Sequence, residues 1–108
     1  MTWSTGTAQA WDGIAVTLTG PHSVGMYITP YVNNKEPYVA DLHPGDTVYV
    51  NCWTTGDNIN NQGNVWYHVI HEYYNASGNQ FYYDYVYGAY VDSNNTWRAR
   101  ASNGLAHC

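Results

Sequence analysis

Asp84-Tyr85-Val86-Tyr87-Gly88-Ala89-Tyr90-Val91 reads as a short strand, a one-turn break at Gly88-Ala89, and a further strand that starts on Tyr90. Upstream, residues 65–71 form a strand led by Trp66-Tyr67-His68-Val69, and Asn75-Ala76-Ser77-Gly78-Asn79 is a turn. Gly78 closes a hairpin from that strand into residues 80–86. Side chains alternate faces along a strand, so a core-facing Val69 takes Tyr67 inward and leaves Trp66 and His68 outward. On a regular strand His68 and His71 then fall on opposite faces. Tyr82 and Asp84 share one face of the following strand, Tyr83 and Tyr85 the other.

Further upstream the same period recurs. Ile14, Val16 and Leu18 alternate with Ala15, Thr17 and Thr19 until Gly20-Pro21 breaks the strand. Met26-Tyr27-Ile28-Thr29 is a second short strand, stopped by Pro30. Residues 31–39 form a long loop that carries Tyr31, Val32, Tyr38 and Val39, and aromatic long loops are more often functional than bare linkers. After the turn His43-Pro44-Gly45-Asp46, residues 47–53 place Val48, Val50 and Cys52 on one face and Tyr49, Asn51 and Trp53 on the other. Residues 54–64 are an Asn-rich loop. Residues 92–108 are polar and irregular, with Trp97 and Leu105 as staples onto the body. Residues 1–12 are a leader or an extra edge strand, and residues 13–108 form one all-β domain of five to seven short strands.

The 108-residue chain holds twelve Tyr and five Trp against one Phe, with 10% charged residues and a net charge of −5. Tyr and Trp pair an apolar body with a polar tip, which suits half-buried sheets and wet grooves. Lys35, Arg98 and Arg100 are the only cations, too few for the basic face that nucleic acid or an anionic membrane requires. No stretch approaches the length of a membrane span. Cys52 and Cys108 are too few for a tetrahedral metal site. A core-facing Cys52 and a terminal cysteine that ties down a fraying end indicate a Cys52–Cys108 disulfide and hence an exported chain; two free thiols in a cytosolic protein are the alternative. No secretory signal is visible, so a mature, signal-stripped chain preceded by Met1 is expected.

The order of elements resembles bacterial Src-homology-3-like domains over residues 14–92. The matching pieces are residues 19–30, residues 38–50 with Leu42 and Gly45-Asp46-Thr47-Val48-Tyr49-Val50, the Trp66-Tyr67-His68-Val69 strand, and Tyr85-Val86-Tyr87-Gly88-Ala89-Tyr90-Val91. Cys52-Trp53-Thr54-Thr55-Gly56 with a C-terminal Cys resembles small secreted actinomycete versions. The family's Asn-x-Arg-x-Gly-Pro opening is replaced by Gly25-Met26-Tyr27-Ile28-Thr29-Pro30, and Asp84 stands where the family has Gly. The resemblance implies a small barrel with a disulfide-tied tail. It also implies a shallow aromatic groove of Tyr31, Trp66, Tyr87 and Tyr90, with His68 facing outward beside it. Such a groove binds without catalysis, here cell-wall peptide or glycan, with no cofactor. A protein-interaction subunit of an extracellular assembly and a secreted enzyme inhibitor are the competing readings.

Other chemistries are less well supplied. His22, His43 and His107 are scattered over loops and tail, which does not favour a metal site. Cys52 with a histidine and an asparagine is the one hydrolase-like set, and the disulfide explains that cysteine better. No motif pairs the aspartates for glycoside cleavage. Asn75-Ala76-Ser77 and Asn94-Asn95-Thr96 match glycosylation sequons, as chance allows in an Asn-rich chain.

Overall fold

Two long alternating segments, β2 (Thr47–Thr55) and β3 (Val65–Tyr74), pair antiparallel at the centre of a six-stranded sheet. The computed structural model describes residues 13–100 and 104–108; the leader or edge strand expected over residues 1–12 lies outside them. β1 (Ile14–Thr17) and β6 (Ala106–His107) pair successive parts of the free edge of β2, antiparallel and parallel respectively. β4 (Gly78–Gln80) and β5 (Asp84–Tyr87) share the other edge of β3. The chain is mostly β, and its sheet stays open rather than closing into the expected barrel. The helical turn α1 (Gly88–Asp92) follows β5 and takes in Tyr90 and Val91, where a strand was expected; the carbonyl of Val91 at its end accepts the Thr19 N–H at 3.3 Å.

The core is the inner face of this sheet: Val16, Val48, Val50, Tyr67, Val69 and Val86, closed over by Val24, Met26, Leu42 and Val91. Val24 and Leu42 exchange backbone hydrogen bonds, and Tyr27 does the same with Tyr85. These isolated bridges stand where a strand over residues 26–29 was expected. The chain cannot run on as a strand, because it doubles back through hydrogen bonds from Tyr31 to Thr29 and from Asn34 to Tyr31.

Two compensating bulges alter the expected faces. The register passes from Tyr49–His71 to Val50–Val69, leaving Ile70 extra in β3, then to Cys52–His68, leaving Asn51 extra in β2. Each extra residue reverses the parity of its strand. His68 and His71 therefore share the outer face rather than opposing faces. Cys52 is likewise turned out of the core face, while Trp53 packs against the core beside Trp97 and His107.

The tail contains a helix that the sequence does not announce, α2 (Asn95–Arg100). Six residues are too few to show a 3.6-residue period, and side-chain anchors hold this helix instead. Buried Asp92 accepts hydrogen bonds from the Thr96 N–H and hydroxyl and from the Tyr67 hydroxyl, which in turn accepts the Trp97 N–H. Burial, with Asp92 nearby, raises the pKa of Tyr67, keeping it a neutral donor. Leu105 packs into the core, as expected of a staple, and Trp97 packs against it. Cys52 and Cys108 are bonded, with Cα atoms 5.1 Å apart across 56 residues of sequence. Closing a loop of that length stabilises the fold by about 4 kcal/mol in the chain-entropy model.

Candidate binding surface

The outer face of β3 and β5 is aromatic because Trp66, cross-strand from Tyr87, and Tyr85, cross-strand from His68, all project from it. Two loops fold over one end of that face. The 56–64 loop places the Asp57 carbonyl 3.0 Å from Trp66 Nε1, which donates to it. The 25–37 loop lays Tyr27 edge-on against Trp66, with ring centroids 5.3 Å apart. The loops are tied to each other: Asp57 N–H donates to the Pro30 carbonyl, and Val32 N–H donates to the Asp57 carboxylate. A Cβ on Gly56 would collide with the backbone of Pro30, so this close approach requires glycine.

This cover changes the predicted groove. Trp66, expected to be partly exposed, is 0% exposed, and Tyr87 is 2% exposed. The Tyr87 hydroxyl donates to the Gly63 carbonyl at 2.6 Å and accepts the Ile59 N–H at 3.2 Å, so it closes the loop rather than facing solvent. Burial raises its pKa. Tyr31 is 47% exposed and takes no part in the described ring contacts with Trp66. His68 is half-buried, 2.7 Å through Nδ1 from Asn51 Oδ1 and edge-on to Tyr85; burial lowers its pKa. Asn51 is the bulge residue, so the bulge is what brings the amide to the imidazole. Cys52 lies cross-strand from His68 and next to Asn51 on β2, but its sulfur is held in the disulfide.

Three of the expected residues do come together. Tyr27, Trp66, Tyr87, Tyr90 and His22 form one chain of ring contacts, with centroids 5.3, 5.2, 5.0 and 4.3 Å apart in that order. The chain reaches solvent at its far end, where exposed His22 stacks on half-buried Tyr90. There the Tyr90 hydroxyl accepts hydrogen bonds from the side-chain amides of Asn60 and Gln62, at 3.3 and 3.4 Å. Sequence reading missed His22, Asn60 and Gln62. The density of Asn in the 54–64 loop was the only signal, and it marks a turn as readily as a site.

A second polar group lies under the sheet, on the inner face. Asp84, cross-strand from Val69, is buried with the Glu36 carboxyl nearby. Glu72 is fully buried; its Oε1 accepts the Tyr82 N–H at 2.9 Å, while its Oε2 has no hydrogen-bond partner among the described residues. Desolvation first, and the neighbouring Asp84 charge as well, push Glu72 up to about 8; desolvation and Glu36 push Asp84 up to about 7. Lys35, the cation next in sequence to Glu36, is 2.8 Å from Asp41 instead. Comparison with known protein families, curated proteins and solved structures finds no match for this chain.

Proposed function

We propose that this chain is a secreted, non-catalytic binding module of the Src-homology-3-like type that takes the glycan of a cell wall at the His22–Tyr90 rim. The observation that carries the reading is the rim itself: a solvent-reaching aromatic pair flanked by two primary carboxamides. Rings stack on the apolar face of a sugar while amides exchange hydrogen bonds with its hydroxyls, and neither contact needs charge. The element order of strand, long loop, two paired strands, strand and helical turn supports the family likeness, and the Cys52–Cys108 disulfide supports an oxidising, extracellular setting. Among the described residues no helix is long and apolar enough to cross a membrane. The exposed Ile28, Tyr31 and Val32 favour a second reading, docking on a protein of an extracellular assembly.

Sedimentation with purified peptidoglycan tests the first reading. Wild-type protein co-sediments, and Tyr90→Ala weakens capture about tenfold, as loss of a central aromatic contact does. Tyr38→Ala, at a fully exposed loop position, leaves capture unchanged. Raising salt changes the affinity little, because few counterions are released by so few cations. Failure to sediment, with co-purification of one defined protein instead, would favour the docking reading.

A further inference from the structure

The six strands carry only two charged side chains, Glu72 and Asp84, and both point into the core. Among the described residues the strands therefore put no charged side chain on the outer face, in a protein of net charge −5. It is also aromatic well beyond the rim. Tyr49 stacks on His71 at 4.2 Å with rings 11° apart, and His71 stacks on Phe81 at 4.4 Å and 21°. This column is held rather than floppy, since His71 Nε2 lies 2.8 Å from Asn79 Oδ1. Its ends are open. Phe81 is 66% exposed, and the register sets Tyr49 opposite Ala15, an exposed residue too small to cover a phenol ring.

We infer that this column is a second glycan subsite, on which an extended, uncharged polysaccharide chain lies after leaving the His22–Tyr90 rim. Three observations carry it. A neutral face of rings and amides matches an uncharged glycan and gives an ionic partner nothing to pair with. The stacked rings are already ordered, so binding costs little side-chain entropy. Beyond the loops that cover Trp66, the face runs on along β3 from His68 through His71 to Tyr73, roughly 17 Å at the usual rise of a strand. That length suits a polymer better than a compact ligand.

The inference rests on the glycan reading of the rim, and calorimetry with N-acetylglucosamine dimer and hexamer separates the two. Wild-type protein binds the hexamer about tenfold more tightly than the dimer. Phe81→Ala, at an exposed position where the melting temperature is retained, brings hexamer affinity down to the dimer level and leaves the dimer unchanged. Tyr90→Ala weakens both. If Phe81→Ala leaves the hexamer advantage intact, the second subsite is wrong while the rim stands. If Tyr90→Ala has no effect but Phe81→Ala does, the column binds and the rim reading fails. A wild type that binds neither oligomer overturns the subsite, as does concentration-dependent dimerisation that Phe81→Ala abolishes, which would give the face to a second copy of the chain.

Discussion

Trp66→Ala is expected to destabilise the domain by about 3–5 kcal/mol, the usual cost of removing a large buried ring and leaving a cavity. A domain of this size has only about 5–15 kcal/mol in total, so the melting temperature falls steeply or the fold is lost. The cause is local. Trp66 is the floor on which Tyr27, Tyr87 and the Asp57 carbonyl rest, and through them the 25–37 and 56–64 loops. Trp66→Phe keeps a ring there but strands the Asp57 carbonyl, at a smaller cost of about 1–2 kcal/mol. Tyr67→Ala, one position away on the opposite face, is equally costly, because Tyr67 is also fully buried and its hydroxyl links Asp92 to Trp97. Thermal melts of the three variants check this; a near-wild-type melt for Trp66→Ala would mean the loops do not cover the ring.

Stability is expected to fall as pH rises. Glu72 and Asp84 hold protons more tightly in the folded chain than the ordinary 4.5 and 3.8, at about 8 and about 7. The folded state then binds more protons than the unfolded one, and its stability drops with rising pH. The contribution is complete below the ordinary carboxyl range and is lost as pH climbs through about 7 to 8. A tenfold difference in proton affinity is worth about 1.4 kcal/mol, so the loss between about pH 5 and about pH 9 is on the order of several kcal/mol. Desolvation and Glu36 raise the cost of ionising Asp84, and desolvation and Asp84 raise that of Glu72, against which the Tyr82 N–H donated to Glu72 gives partial relief. Glu72→Gln keeps the acceptor for the Tyr82 N–H and removes the titrating oxygen, so its melting temperature varies much less over this range. A wild-type melting temperature that rises from about pH 5 to about pH 9 would contradict the assignment.

Alternation was enough to find β1, β2 and β3, because an inner face of Val16, Val48, Val50 and Val69 against polar or aromatic neighbours has a period of two whatever it pairs with. It also set strands over residues 26–29 and from Tyr90, where the chain makes isolated bridges and α1. The disulfide was also legible, because the chain has only two cysteines to pair, although the core-facing position expected for Cys52 did not hold. The bulges at Asn51 and Ile70 were not legible: an extra residue appears only once two strands are in register, and these two moved Cys52, Trp53 and His71 to unexpected faces. The burial of Trp66 was hidden for a different reason. Parity rightly placed it on the face opposite Val69, but exposure depends on what covers that face, and the cover comes from loops whose Asn, Gly and Pro residues carry no periodic signal. The rim formed by His22, Asn60, Gln62 and Tyr90 joins three segments far apart in sequence, so no local pattern could announce it. Only Tyr90 was expected there, through the family likeness.

Chemical-shift mapping of the uniformly 15N-labelled protein with N-acetylglucosamine hexamer tests the rim most directly. The side-chain amide resonances of Asn60 and Gln62, together with the backbone amides of His22 and Tyr90, are expected to move progressively and saturate, while those of the 28–38 loop stay in place. Shifts confined to Ile28, Tyr31, Val32 and Tyr38, or no shifts at saturating hexamer, would contradict a glycan site at the His22–Tyr90 rim.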